Sequence, residues 1–178
     1  MATFGDTSTT ATVNEYWAED EGFCRKFALS EAGSVSSIHV LAKIRGGFSY
    51  GKFKAMLFED NAGSPGDLLG VTGEFTLEPA DTTFAFRQCN FASAISCPAG
   101  NYWLAAYFGL EAIATVEASG ADSGGDSYWG IGGDYSAGTV TDPCGIDIEY
   151  GHTLRIYATY TPTATAVHRL MTCGAGQA

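Results

Sequence analysis

The side chains best suited to binding a ligand are aromatic and acidic residues in one Gly-, Asp- and Ser-rich stretch, residues 119–145. They are Asp126, Tyr128, Trp129, Asp134 and Tyr135. Aromatic rings stack on sugar rings, and carboxylate oxygens accept hydrogen bonds from sugar hydroxyls. Connecting segments of this length tend to carry function. The stretch therefore supplies the groups of a carbohydrate-binding loop, although tyrosine and tryptophan residues at the start of strands more often pack in the core.

Groups that could catalyse a reaction are scattered through the chain. His39, His152 and His168 lie far apart, and the sequence contains neither an HExxH motif nor a G-x-S-x-G motif. Asp147 and Glu149 share one face if their segment is a strand, whereas the two acids of a glycosidase face each other across a cleft. We therefore expect that the protein is not an enzyme.

Metal and disulfide chemistry are also poorly supported by the spacing of the residues. The acidic run at residues 19–21 has no glycine turn or spaced oxygen ligands, so it predicts a solvated corner rather than a calcium site. None of the five cysteines has the spacing of a zinc site, and we expect neither a metal nor a cofactor. Cys89 and Cys97 are close enough in sequence to pair across a loop, but two buried thiols are the expectation.

Composition narrows the class of protein. The 178 residues suit one domain. Long amphipathic helices carry charged residues on their solvent-facing side, and a charged fraction of 16% is too low for such helices. The 23 glycines and the 13% of aromatic residues favour many short strands joined by turns. A net charge of −11 repels phosphate, so we expect no nucleic acid partner. No apolar run is long enough to span a membrane, and the first residues are not a secretory signal. The initial Met indicates synthesis in a cytoplasm, with the alternative that this Met replaces a removed signal.

Residue alternation predicts the individual strands. In residues 35–45, Ile38 and Val40 face one way and His39 faces the other, so His39 is expected on a solvent-facing surface rather than in a ligand set. Residues 101–108 are apolar on both faces and predict a central strand that is covered on both sides. Residues 154–160 alternate again. Residues 110–118 are compatible with a short helix or a strand.

A turn cluster in residues 60–66 predicts a compact chain reversal. Pro65 presets its own φ, and Gly66 is expected to adopt the left-handed conformation that follows. Residues 68–77 are expected to form the next strand. About nine strands result, which predicts an all-β fold: an antiparallel, jelly-roll-like β-sandwich. We expect an N-terminal arm or edge strand at residues 1–22, the sandwich at 23–162 and a C-terminal tail at 163–178.

The sequence resembles β-sandwich modules that occur in bacteriophage virion proteins and appended to extracellular bacterial proteins. The resemblance rests on turns and core strands, and it implies a fold but no catalytic residues. The matching segments are FGD (residues 4–6), residues 27–40, residues 54–70, residues 98–109, DPCG (residues 142–145) and residues 154–162.

This resemblance, together with the acidic charge, leads to the expectation of a phage virion structural protein made in the host cytoplasm. Such a protein would decorate the capsid or belong to the tail or fibre, and would bind the major capsid protein or another virion protein as a homo-oligomer, for example a trimer. A carbohydrate-binding module that recognises surface glycans is the alternative. The expected interface residues lie at the two ends of the chain, where fraying is the competing interpretation: Tyr16, Trp17, His168, Arg169, Leu170 and Met171.

Overall fold

The computed structural model of the protein consists of β-strands joined by turns. It describes residues 1–9, 14–17, 22–44, 50–109, 113–116, 118–119, 127–129, 133–134, 139–140, 152–153 and 155–163. Within these ranges there is no helix, and therefore none long and apolar enough to cross a membrane. The expectation of an all-β protein is confirmed.

The first sheet, sheet A, is antiparallel and is built around one long strand, β4. Its strands are β1 (Ala2–Gly5), β2 (Asn14–Trp17), β4 (Gly33–Lys43), β8 (Ala85–Cys97), β10 (Ile113–Val116) and β16 (Ile156–Pro162). One side of β4 pairs with β8. The other side pairs with β16 and, at the end of β4, with β10. Strand β1 continues the sheet beyond β16, and β2 continues it beyond β10.

The second sheet, sheet B, is also antiparallel, in the order β12, β3, β9, β5, β6, with β7 paired to the beginning of β5. Its strands are β3 (Gly22–Leu29), β5 (Gly51–Asn61), β6 (Ser64–Val71), β7 (Phe75–Leu77), β9 (Gly100–Phe108) and β12 (Ser127–Trp129). Two small ladders complete the described strands. One joins β11 (Ala118–Ser119) to β15 (His152–Thr153), and the other joins β13 (Gly133–Asp134) to β14 (Thr139–Val140).

The chain crosses repeatedly between the two sheets. It runs from β3 in sheet B to β4 in sheet A and to β5 in sheet B, and it later returns through β8 in sheet A to β9 in sheet B. Strand β3 pairs with β9 while β4 pairs with β8, so the later pair of strands folds back along the earlier pair. This nesting is the pairing of a jelly roll. The predicted antiparallel β-sandwich is confirmed.

The core lies between the sheets and follows from strand alternation. Val35, Ile38 and Val40 of β4 are completely buried there, as are Leu104 and Phe108 of β9. The intervening residues of β9, Trp103, Ala105 and Tyr107, are buried in a second cluster on the other face of sheet B. Strand β9 also lies between β3 and β5. The prediction of a central strand covered on both faces is therefore confirmed.

The predicted chain reversal exists, but its turn residues differ from the expectation. Ala62 and Gly63 have positive φ values of 53° and 93°, and Asn61 pairs with Ser64, so β5 and β6 form a tight hairpin. Positive φ at both central residues matches the right-handed twist of the two strands, which explains why Gly66 is not the turn residue. Pro65 lies inside β6, at the outer end of the strand order of sheet B, where its missing N–H costs little.

Two further segments differ from a simple strand assignment. Residues 68–77 form two strands rather than one, with Thr72 between them. The N–H of Thr72 still donates to the carbonyl of Ala55 at 2.9 Å, but the hydroxyl of Thr72 accepts the N–H of Ala55, also at 2.9 Å. Residues 110–118, for which helix and strand were both open, form strands β10 and the start of β11 in their described part. The β-branched Ile113, Thr115 and Val116 favour this outcome.

The cysteine chemistry matches the expectation where the structure describes it. Cys89 and Cys97 are buried, unlinked thiols, and the alternative of a disulfide between them is wrong. Burial raises the pKa of Cys89 to about 12, so this thiol is a poor nucleophile at neutral pH. The described ranges contain no group of three or more His, Cys, Asp or Glu side chains that could hold a metal ion.

Candidate functional site

The outer face of sheet A carries aromatic, hydroxyl and amide side chains, and we call this group the aromatic face. Ile38 and Val40 of β4 and Ala158 of β16 point into the core, so their neighbours point outward. Strand β8 follows the same rule, with Cys89 buried between two exposed residues. The members of the aromatic face are Ser37, His39, Phe86, Gln88, Asn90, Tyr157 and Thr159.

The strand register arranges this face in two parallel rows. Tyr157 is opposite His39, and His39 is opposite Gln88. In the same way Thr159 is opposite Ser37, which is opposite Asn90. Neighbouring strands are about 4.8 Å apart, so each row crosses three strands over about 10 Å. One row therefore holds two rings and an amide, and the adjacent row holds two hydroxyls and an amide.

The aromatic rings of this face contact one another directly. The rings of His39 and Tyr157 are stacked, with centroids 4.4 Å apart and an angle of 5° between their planes. Phe86 meets Tyr157 edge to face, with centroids 4.8 Å apart. All three rings are half-buried, and Gln88 and Asn90 beside them are exposed. On β1, the residue opposite Tyr157 is Gly5, which places no side chain against this group.

Hydrogen bonds hold the polar members of the face in place. The Nε2 atom of His39 lies 3.2 Å from the hydroxyl of Ser37 and 3.1 Å from that of Thr159. Burial lowers the pKa of His39 below its ordinary value of 6.5, so the imidazole is neutral at neutral pH. Gln88 donates from Nε2 to the Oδ1 atom of Asn90 at 2.8 Å. The exposed amides keep a donor and an acceptor for a ligand.

The contact between Ser37 and His39 invites comparison with a catalytic nucleophile and base. Ser37 is only 2% exposed, however, so a substrate has little access to its hydroxyl. The hydroxyl of Thr159 competes for the same imidazole nitrogen. The pair fits a structural role within the aromatic face, and the absence of enzymatic activity stays a prediction.

A separate charged cluster lies at the end of β1 and explains the FGD segment. Phe4 is part of the core, and Gly5 has a φ of +119°, where a Cβ atom would lie only 2.6 Å from backbone atoms of residues 156 and 157. Asp6 accepts hydrogen bonds from Arg25 at 2.9 Å and from Arg155. The segment therefore joins β1 to both sheets, and its role is structural.

The electrostatics of Asp6 follow from these contacts. Burial alone would raise the pKa of its carboxyl group. Hydrogen bonds from the N–H of Ser8 and from the guanidinium groups of Arg155 and Arg25 outweigh burial and lower the pKa below its ordinary value of 3.8. Asp6 is therefore ionised throughout the physiological pH range, and it neutralises one of the two arginine charges.

The carbohydrate-binding residues predicted from sequence occupy two different places. Tyr128 and Trp129 belong to β12, where their backbones pair with Cys24 and Phe23 of β3. Asp134 belongs to β13, which pairs with β14. Asp126 and Tyr135 lie outside the described residues. The proposed loop site stays a prediction.

The predicted interface residues are described only in part. Tyr16 and Trp17 belong to β2, opposite Ala114 and Ile113 of β10. His168, Arg169, Leu170 and Met171 lie outside the described residues, together with the rest of the predicted tail after Thr163. Residues 2–5, within the predicted N-terminal arm or edge strand, form β1, which pairs with β16 at one end of the described strand order of sheet A.

Sequence reasoning found one member of the aromatic face and missed the others. It placed His39 on a solvent-facing surface, which agrees with its half-buried position on the outer face of β4. The alternation of residues 154–160 already separated Tyr157 and Thr159 from the core. That signal could have added these two residues, but nothing in the sequence indicated that β16 and β8 flank β4.

No known family profile matches the chain. No curated protein matches it either. Among solved structures, its fold is similar to that of the cysteine protease and lectin-like domains of Cwp84, a surface layer associated protein of Clostridium difficile, with a TM-score of 0.51 and 11% sequence identity. The similarity covers 84% of this chain and 36% of that chain, so the protein spans about a third of that length. At this identity the likeness concerns the fold alone.

Proposed function

We propose that the protein is a non-catalytic carbohydrate-binding β-sandwich whose ligand lies on the aromatic face. The observation that carries the proposal is the row of Tyr157, His39 and Gln88, in which two stacked rings adjoin an exposed amide. Sugar rings have apolar faces that pack against aromatic rings and hydroxyls that exchange hydrogen bonds with amides. The row offers both kinds of contact at one place.

The proposal accounts for polar residues that a structural role leaves unexplained. Gln88 and Asn90 are exposed and hydrogen-bonded to each other on the surface, where they add little to stability. The rings of His39 and Tyr157 are already oriented by their mutual stacking and by hydrogen bonds to His39. A ligand would therefore bind to side chains that lose little conformational freedom, which favours affinity.

The similar solved structure supports the proposal at the level of architecture. It contains a lectin-like domain, so a sandwich of this general fold is compatible with sugar binding. The likeness is too distant to transfer any residue. The loop predicted from sequence, with Tyr128 and Trp129, is a competing location for the same function.

A binding experiment with single variants tests the proposal and separates the two locations. The protein is titrated calorimetrically with a panel of soluble polysaccharides and their oligomers. We expect saturable binding that Tyr157→Ala weakens by about tenfold or more, equivalent to about 1.4 kcal/mol. Trp129→Ala is expected to bind normally.

Tyr50→Ala provides the matched control, because Tyr50 is an aromatic residue that is 40% exposed outside the aromatic face. Its affinity should equal that of the unchanged protein. Loss of binding in Trp129→Ala with full binding in Tyr157→Ala would move the site to the loop. A panel without any ligand would refute the carbohydrate-binding function.

A virion structural role is the second candidate. Two features favour it: the resemblance of the sequence to phage virion modules, and the strands at the two sides of sheet A. Strands β1 and β8 lie on opposite sides of β16 and β4, and each pairs with one strand in the described part of sheet A. Strand edges can pair between copies in a homo-oligomer such as a trimer. Such a decoration, tail or fibre protein would bind the major capsid protein or another virion protein and could also bind glycans.

Light scattering tests this second candidate. The mass of the purified protein is measured alone and after mixing with purified capsid shells. Stoichiometric uptake onto the shells supports a decoration protein. A monomer that ignores shells and binds glycans would leave carbohydrate binding as the function.

A further inference from the structure

We infer that the ligand of the aromatic face is a neutral glycan, built from uncharged sugars rather than from sialic or uronic acids. The inference rests on the proposed carbohydrate-binding function and specifies its ligand class. Three independent features of the molecule lead to it: the chemistry of the face, the position of the nearest cations and the charge of the whole chain.

The first feature is the chemistry of the binding groups. Among the described residues, the accessible groups of the aromatic face are phenyl, phenol and imidazole rings, the hydroxyl of Thr159 and two amides, whereas the hydroxyl of Ser37 is buried. These groups match the hydroxyls and ring faces of a neutral sugar. Amides and hydroxyls can contact a carboxylate, but they do not neutralise it, and a partly desolvated carboxylate without a cation is unfavourable.

The second feature is that the nearest cations are engaged elsewhere. Arg87 is next to Gln88 but points to the other side of β8, where it forms an ion pair with Asp81 at 2.8 Å. Its guanidinium also donates to the carbonyl oxygens of residues 42 and 83, each at 3.3 Å. Recruiting Arg87 to an acidic sugar would break these interactions.

The cations at the far end of the same face are held in a similar way. Arg155 donates to Asp6, and the Nζ atom of Lys43 lies 4.3 Å from the centre of the Phe84 ring. Bidentate recognition of a carboxylate requires an available guanidinium. To meet this requirement, Arg155 and Arg87 would have to give up their contacts with Asp6 and Asp81, and Lys43 carries an ammonium group rather than a guanidinium. The Nε atom of Arg155 has no hydrogen-bond partner, but it is buried.

The third feature is the net charge of −11, which comes from 20 acidic and nine basic residues. The net negative charge of such a protein opposes the approach of a polyanion, and salt screens this repulsion. The uncharged binding groups of the face and the net charge of the chain therefore both disfavour acidic glycans, and neither disfavours a neutral glycan.

The experiment compares two sets of oligosaccharides that differ at one carbon. Hexose oligomers carry a hydroxymethyl group at C6, and the corresponding hexuronic acid oligomers carry a carboxylate there. Both sets are titrated calorimetrically against the full chain at low and high salt. We expect the hexose oligomers to bind with an affinity that salt does not change, and the acidic oligomers to bind at least about tenfold more weakly.

A gain-of-charge variant sharpens the test. Gln88→Lys places a cation in the row beside His39, and we expect it to raise the affinity for the acidic oligomers severalfold. Ser93→Lys is the matched control, because Ser93 is exposed on the same strand in the segment between the partners Asn90 and Ile95. If the affinity for the acidic oligomers rises equally in both variants, the effect comes from the net charge, which would contradict a binding site at this face.

The remaining outcomes separate the two proposals. Acidic oligomers that bind the unchanged protein as tightly as neutral ones, with an affinity that falls with salt, overturn the inference and leave carbohydrate binding intact. Failure of every oligomer in both sets overturns the proposed function and this inference together.

Discussion

The outer faces of the two sheets use aromatic residues in opposite ways. On sheet B, Phe58, Trp103 and Tyr107 are at most 1% exposed and pack with Met56 in the second apolar cluster. On sheet A, Phe86, His39 and Tyr157 are half-buried beside exposed amides. Both faces look outward from the same sandwich core, yet among the side chains that the structure describes, these rings of sheet A are partly open to solvent and those of sheet B are not.

The difference shows that aromatic residues alone do not identify a ligand site. Trp103 would be an attractive sugar platform by residue type, but its ring is completely buried and its Nε1 donates to Asp60 at 2.8 Å. A buried indole with its donor satisfied belongs to the core. Tyr157 and His39, in contrast, are half-buried, and their rings stack on each other at the surface.

The largest expected effect comes from truncating one ring on each face. Trp103→Ala should reduce the free energy of unfolding by about 3–5 kcal/mol, because it leaves a cavity in a packed cluster. Tyr157→Ala removes a half-buried ring, and we expect a loss of about 1 kcal/mol. Urea denaturation followed by circular dichroism measures both values. Equal losses would show that the two faces are equally structural.

A smaller effect is expected from the charged cluster that joins β1 to both sheets. Asp6→Asn leaves the guanidinium groups of Arg25 and Arg155 without their shared carboxylate, and should cost about 1–3 kcal/mol at neutral pH. Binding of a neutral glycan to the folded variant should be unchanged, because the variant alters no member of the aromatic face. Glu74→Gln, which removes a surface ion pair with Lys52, is the control and should leave stability nearly unchanged.

The pH dependence of this effect follows from the lowered pKa of Asp6. The unfolded chain takes up the proton at a higher pH than the folded protein, so the stabilisation is fully present above the ordinary value of 3.8. It is lost as the pH falls through the lower pKa of the folded state. The stability difference between the unchanged protein and Asp6→Asn should therefore shrink in that acidic range. A constant difference would exclude the carboxylate charge as its source.

The smallest expected effect concerns His39 on the aromatic face. Burial lowers the pKa of this imidazole, so the unfolded chain binds its proton more readily than the folded protein does. The contribution of His39 to stability is present above pH 6.5 and declines as the pH falls below that value. His39→Gln should remove this part of the pH dependence while the sandwich stays folded. If the free energies of unfolding of the unchanged protein and of His39→Gln change in parallel just below pH 6.5, the titration of His39 does not contribute to stability there.

Much of the fold was predictable because its strands are long and regular. Residues 101–108, apolar on both faces, were enough to predict a central strand, and β9 occupies that position. The alternation around Ile38 and Val40 was enough to assign the buried and outward faces of β4. Local details were less predictable. The turn at Ala62 and Gly63 depends on the twist of the hairpin, and at the break the hydroxyl of Thr72 accepts the N–H of Ala55, 17 residues away.

Residue order along the chain was sufficient to determine the fold class and the side of the strand on which His39 lies, because both follow from a period of two residues. Tyr157 lies beside His39 although the two residues are 118 positions apart in the sequence, and Gln88 lies on the opposite side of His39. Both positions depend on which strands flank β4. Strand order is set by the packing of the whole sandwich and leaves no local pattern. The composition of the aromatic face could therefore be recognised only after the strands had been assembled.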